Sequence, residues 1–148
     1  MKNNHRVGKD EYFMNIAKVV ASRSTCNRAN VGAILVRNGM IISTGYNGSP
    51  KKLPHCSDEG HIMENNHCTR SIHAEVNSII QAAYNGVSTN SASIYTTHFP
   101  CKHCLKFLIN SGISKIFFSK DYRSDDSEIK SILEKSDIEI IRLKEGKK

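Results

Sequence analysis

The dipeptide Asn38-Gly39 lies between two apolar runs, Val31–Val36 (VGAILV) and Met40–Thr44 (MIIST). Asn-Gly readily takes up the positive φ angles that a two-residue turn needs, so the segment predicts a β-hairpin. Both runs are apolar without strict alternation, which predicts a sheet covered on its two faces. Upstream, Phe13, Ile16, Ala17 and Val20 fall on one helical face and predict a helix over Lys9–Ser24. Downstream, helices are expected at His73–Tyr84, Cys101–Ser111 and Asp125–Lys135, and strands at Ser93–Thr97, Lys115–Ser119 and Ile138–Leu143. Asn85-Gly86 and Gly112 mark two helix ends, Pro100 opens a start, and Ser124 or Asp125 is the expected cap of the last helix. The order α-β-β-α-β-α-β-α-β calls for an α/β fold, a mixed sheet between two helical layers.

The chain has 148 residues, the size of one domain, read here as spanning 1–148. At 39% hydrophobic residues it has enough apolar surface for a core. It has no apolar run of ~18 residues, so no transmembrane helix is expected, and its first residues lack the apolar stretch of a secretory signal. The expected compartment is therefore reducing, the cytoplasm. There, five cysteines point to metal ligands or a nucleophile rather than disulfides. The net charge of +7 is scattered, with a basic tail at Lys144, Lys147 and Lys148. No basic stretch is interleaved with aromatics, so neither nucleic acid nor membrane is an expected partner. One segment breaks the pattern. Gly45–Arg70 is polar, contains His55, His61, His67, Cys56 and Cys68, and needs a function or a metal to order it.

Two short motifs carry chemistry: His73-Ala74-Glu75, and Pro100-Cys101-Lys102-His103-Cys104. Each opens a helix. Cys101 and Cys104, three apart on a first turn, point the same way, and the helix dipole lowers their thiol pKa. With His73 they make a three-ligand Zn²⁺ site whose fourth position is left for water, the catalytic rather than the structural arrangement. Glu75, two residues past His73, is placed to act on that water as general acid and base without ligating the metal. Alone, the Cys-x-x-Cys also reads as a redox pair or half of a structural zinc site. Joined, the two motifs are the signature of zinc nucleobase deaminases.

At these residues the chain resembles the deoxycytidylate (dCMP) deaminases of the cytidine deaminase-like superfamily. Further matching stretches are Cys26-Asn27-Arg28, Val31-Gly32-Ala33, Gly45-Tyr46-Asn47-Gly48-Ser49-Pro50, Cys68 to Asn77, Tyr95 to Cys104 and Asp121-Tyr122-Arg123. The resemblance implies a three-layer α/β/α cytidine deaminase-like fold with a five-stranded mixed sheet. It implies hydrolysis of dCMP to dUMP and ammonia for thymidylate synthesis, activation by dCTP, inhibition by dTTP, and a homohexamer. Glu75 would move protons to N3 and to the departing amine. By the same analogy Ala74 contacts the base edge, Arg28 and Arg123 the phosphate, Asn47 the sugar, and Tyr122 the nucleotide. The plainer readings are surface ion pairs for the two arginines, a turn residue for Asn47 and a core aromatic for Tyr122.

Some dCMP deaminases hold a second, structural zinc, and the resemblance extends that expectation to Cys26, Cys56, Cys68 and one histidine. His61 is favoured, because it sits between the two cysteine-bearing ends of the loop, whereas His67 directly precedes Cys68. Otherwise the three cysteines are buried free thiols. Two other functions fit the same sequence: deamination of another cytosine nucleotide such as dCTP, and a non-catalytic zinc-stabilised nucleic-acid-binding module.

Overall fold

A computed structural model describes residues 5–145; Lys147 and Lys148 of the expected basic tail lie outside the described residues. The hairpin forms as expected. β1 (Gly32–Arg37) runs antiparallel to β2 (Met40–Tyr46), and Asn38 and Gly39 turn the chain with φ of 52° and 75°. A register shift between Leu35 and Val36 leaves Ile42 as the extra residue of a bulge. The covering of the hairpin differs from expectation. β1 is buried on both faces, whereas β2 is an edge strand with Met40 and Ile41 exposed.

The main sheet has five strands in the order β2-β1-β5-β6-β7. β5 (Ser93–His98) pairs antiparallel to β1, and β6 (Lys115–Lys120) and β7 (Glu139–Arg142) continue it in parallel. The parallel pairs need crossovers, supplied by α4 (Lys102–Asn110) and α5 (Ser127–Lys135). Alternation along β1 sends Ala33 and Leu35 to one face and Ile34 and Val36 to the other. Ala33 and Leu35 join Ala74 and Ala82 of α3 (Ala74–Tyr84), Leu105 and Leu108 of α4, and Ile129 of α5. Ile34 and Val36 pack with Phe13, Met14 and Ala17 of α1 (Lys9–Ala21), where Tyr95 stacks on Phe117 with centroids 4.3 Å apart. The architecture is thus the expected three-layer α/β/α fold.

Two glycines set the helices against the sheet. A Cβ on Gly32 would stand 2.1 Å from the Ala17 carbonyl oxygen of α1. One on Gly45 would stand 2.4 Å from both the Ala74 oxygen and the Ser78 nitrogen of α3. That second contact fixes the first turn of α3 against β2. Other boundaries shift slightly: α1 ends at Ala21 rather than Ser24. The cap of α5 is Asp126 rather than Ser124 or Asp125, its carboxylate accepting from the Glu128 and Ile129 N–H groups. The segment 45–70 is not plain loop. It contains a short helix α2 (Cys56–Glu59) and a two-stranded ribbon of β3 (Met63–Glu64) and β4 (His67–Cys68).

Candidate active site

His73 is the N-cap of α3 and Cys101 the N-cap of α4, with Cys104 in the first turn of α4. The two helix starts therefore face one another, and their unpaired N–H groups favour negative charge between them. His73 Nδ1 lies 3.6 Å from Cys101 Sγ and 3.3 Å from Cys104 Sγ. Zinc at about 2.3 Å from sulfur and about 2.0 Å from nitrogen sets tetrahedral S···N edges of about 3.5 Å. The donor set and its spacing fit zinc, with three ligand atoms that all lie within 4.8 Å of one another. The two thiols split their acidity. The hydrogen bond from Cys104 foremost, with His73 adding, holds Cys101 down at about 3, while Cys104 is pushed up by its bond to Cys101 and by burial.

Glu75 is only 4% exposed. Burial raises its carboxyl above the usual range, offset in part by a backbone hydrogen bond and the His73 charge. A carboxyl kept out of water beside a three-ligand cluster is suited to accepting and returning a proton.

His73, Glu75 and Cys101 line a cleft of about 250 Å³, near the lower bound of small-molecule sites. Of the sequence-predicted contacts, Arg28, Asn47, Ala74 and Arg123 line it. Arg28 also donates to the Asn66 carbonyl at 3.1 Å, so it is tied to the ribbon rather than engaged in an ion pair. Asn47 also braces the backbone. Its Oδ1 accepts from Val31 N–H at 2.8 Å and its Nδ2 donates to the Ala29 carbonyl at 2.6 Å. Tyr122 does not line the cleft. Its ring meets Phe99 edge-on with centroids 4.9 Å apart and tilts against Phe118, yet Tyr122 is exposed and so is not a core aromatic either. Sequence reading gave no site role to eight of the lining residues, among them the polar Asn66, His67, Ser71, His98 and Asp121. His98 stands two positions before Pro100 and Asp121 two before Arg123, both inside stretches already singled out.

A second cluster lies beside the first. Cys26, Cys56, His61 and Cys68 bring four ligand atoms within 4.8 Å of one another. Cys56 and Cys68 sulfurs are 3.5 Å apart, and Cys26 Sγ is 3.6 Å from His61 Nδ1. His61 Nε2 stands 2.9 Å from Asn27 Oδ1, a partner that leaves Nδ1 free to ligate. Burial pushes the Cys68 thiol up, but hydrogen bonding from His61, the Arg70 backbone and Cys56 outweighs it and brings it to about 6. Four donors of this kind fit a closed zinc site.

The model of the cytidine and deoxycytidylate deaminase zinc-binding region matches residues 7–120. The chain belongs to that family. It is 45% identical over 119 residues to ComE operon protein 2 of Bacillus subtilis, covering 80% of this chain and 63% of that one. It is 31% identical to the deoxycytidylate deaminase of Enterobacteria phage T4, covering 91% of this chain and 90% of the phage protein. The cyanophage S-TIM5 dCMP deaminase, solved in complex with dCMP and dUMP, superposes with a TM-score of 0.78. That pair is 29% identical and covers 94% of this chain and 100% of the other. The chain spans 63%, 40% and 45% of the length of three of the curated relatives, less than two thirds of each.

Proposed function

We propose that this chain, as one deaminase domain, hydrolyses dCMP to dUMP and ammonia. The observation that carries the reading is the buried Glu75 carboxyl beside the open His73–Cys101–Cys104 cluster, on a cleft bordered by Arg28 and Arg123. Zinc, when bound by those three residues, supplies a Lewis acid that acidifies a water. Glu75 takes the proton of the attacking water and delivers it to N3 of the pyrimidine, and a further proton to the amine leaving C4. The Ala74 backbone borders the base, Asn47 shapes the sugar side through the Ala29–Val31 segment, and the two arginines neutralise the phosphate.

A structural zinc on Cys26, Cys56, His61 and Cys68 pins the 45–70 segment to the start of β1. A cavity between β2 and α3, lined by Gly45, Tyr46, Gly48, Ser49 and Pro50, suits the regulatory nucleotides dCTP and dTTP. Two lining residues there carry buried polar atoms without a partner, Ser49 Oγ and His55 Nδ1. Exposed Ile41, Tyr46, Ile80 and Tyr84 along the same face support a homohexamer. No helix among the described residues is long and apolar enough to cross a membrane. In this reading the enzyme works in the cytoplasm and its product dUMP feeds thymidylate synthesis.

A panel of dCMP, dCTP, CMP, deoxycytidine and guanine, offered to the zinc-loaded protein, tests the reading. Ammonia release with dCMP as the best substrate is expected. Preference for dCTP would move the assignment to that nucleotide, and no turnover of any would favour a zinc-stabilised binding module.

A further inference from the structure

Two polar residues lining the cleft, His98 and Asp121, have no part in the deaminase reading above. His98 ends β5 and Asp121 follows β6, and the two strands place them side by side: His98 pairs with Lys120 in register, and Phe99 N–H donates to the Lys120 carbonyl at 2.7 Å. Cys101 of the metal cluster lies three positions beyond His98, and Arg123 lies two beyond Asp121. The pair lines the same cleft as Cys101, beside the proposed place of the base, and Arg123, at the proposed place of the phosphate. A nucleotide sugar spans that interval.

The hydrogen bonding of this wall is polarised. Thr97 Oγ1 accepts from Gly32 N–H at 3.2 Å and lies 2.9 Å from His98 Nδ1, to which its hydroxyl can donate. With Nδ1 accepting, the neutral imidazole carries its hydrogen on Nε2. Burial, the largest influence on His98, favours that neutral form. Nε2 stands 3.6 Å from Asp121 Oδ2, too long for a good direct hydrogen bond. A donor and an acceptor so spaced accommodate a group that both accepts and donates, which is a hydroxyl. Asn47 competes poorly for it, because its carbonyl and its amide both hold backbone partners.

We propose that His98 and Asp121 together grip the 3′-hydroxyl of the substrate sugar. Nε2–H donates to the hydroxyl oxygen, and the Asp121 carboxylate accepts its hydrogen. The proposal rests on the deaminase reading above, and makes the pair specificity-determining residues of that reaction. Asp121 has φ of 62°, a backbone angle that glycine and asparagine tolerate, so Asp121→Gly removes the carboxylate without backbone conflict.

The test compares kcat/KM for dCMP and for 2′,3′-dideoxycytidine monophosphate in the wild type, Asp121→Gly, Asp121→Asn and His98→Gln. In the wild type, loss of the hydroxyl should lower kcat/KM about 10- to 100-fold, the weight of a charge-assisted hydrogen bond. In Asp121→Gly that ratio should collapse to about 3-fold or less. Asp121→Asn and His98→Gln, which retain an acceptor and a donor respectively, should give intermediate ratios. The ratio is insensitive to the fraction of active enzyme, so partial misfolding does not imitate the effect. Equal rates on the two substrates in the wild type, or an unchanged ratio in Asp121→Gly, would overturn the proposal while leaving dCMP deamination standing. Absence of any dCMP turnover by the zinc-loaded wild type would instead overturn the deaminase reading itself.

Discussion

His73 Nδ1 stands 3.3 Å from Cys104 Sγ, although 31 positions separate the two residues in the chain. The contact requires α3 and α4 to begin at neighbouring points on the same edge of the sheet. Gly45 holds the first turn of α3 on β2, and Pro100 and Cys101 start α4 directly after β5. The metal cluster is thus a consequence of where two helices begin, and Glu75 is buried because it occupies the first turn of one of them.

The four-donor cluster yields a metal count. The protein as purified should contain two zinc ions per chain, and Cys26→Ala or Cys68→Ala should leave one. Because metal binding there is coupled to ordering of the 45–70 segment, those variants should also melt at lower temperature. Asn27→Ala removes the partner of His61 Nε2 and should weaken zinc at that site about 10- to 100-fold while sparing the other. Elemental analysis beside thermal melts checks this; one zinc in the wild type would remove the second site.

Asn47 should matter for stability as well as for substrate. Asn47→Ala leaves the Val31 N–H and the Ala29 carbonyl without their partners, at a cost of roughly 1–3 kcal/mol for each group left unsatisfied. Urea unfolding should show a midpoint well below wild type. An unchanged midpoint would mean that water replaces both bonds.

Gly45→Ala places a methyl group against the backbone of the first turn of α3. Such overpacking typically costs about 1–3 kcal/mol, and here the element displaced carries Glu75. Turnover should fall further than stability alone explains, measured as kcat on folded, zinc-replete protein.

Arg123→Gln should raise KM for dCMP about 10-fold or more and leave deoxycytidine, which has no phosphate, nearly unaffected. Steady-state kinetics on the two substrates separates this from a general loss of activity.

Much of the fold could be read from local pattern. Asn38-Gly39 between apolar runs specified the hairpin, and the two motifs named three residues that the fold does bring into one cluster, with Glu75 buried nearby, because spacing on a helix start is a local property. What could not be read was non-local. β2 was expected to be covered on both faces, but its apolar Met40 and Ile41 lie on a sheet edge, and no feature within the strand distinguishes an edge from a centre. Asp126 was passed over as a cap because Ser124, Asp125 and Asp126 are all competent and the choice depends on where β6 releases the chain. The α2 segment and its ribbon have too few residues to show a period, and they fold around a cluster whose four donors come from distant positions. Tyr122 was expected near the nucleotide by analogy with the family; the positive φ of Asp121 turns the chain there, and its ring packs on Phe99 and Phe118. His98 and Asp121 acquire meaning only once β5 and β6 lie side by side.

The most direct measurement is dUMP formation from dCMP by zinc-loaded wild type and Glu75→Gln, with metal content determined on the same samples. Glu75→Gln should retain zinc at the wild-type level and lose turnover by about 10²–10⁴-fold or more, the contribution of a placed general acid and base. Wild-type-like turnover by a zinc-replete Glu75→Gln protein would contradict the role of Glu75 and with it the proposed mechanism.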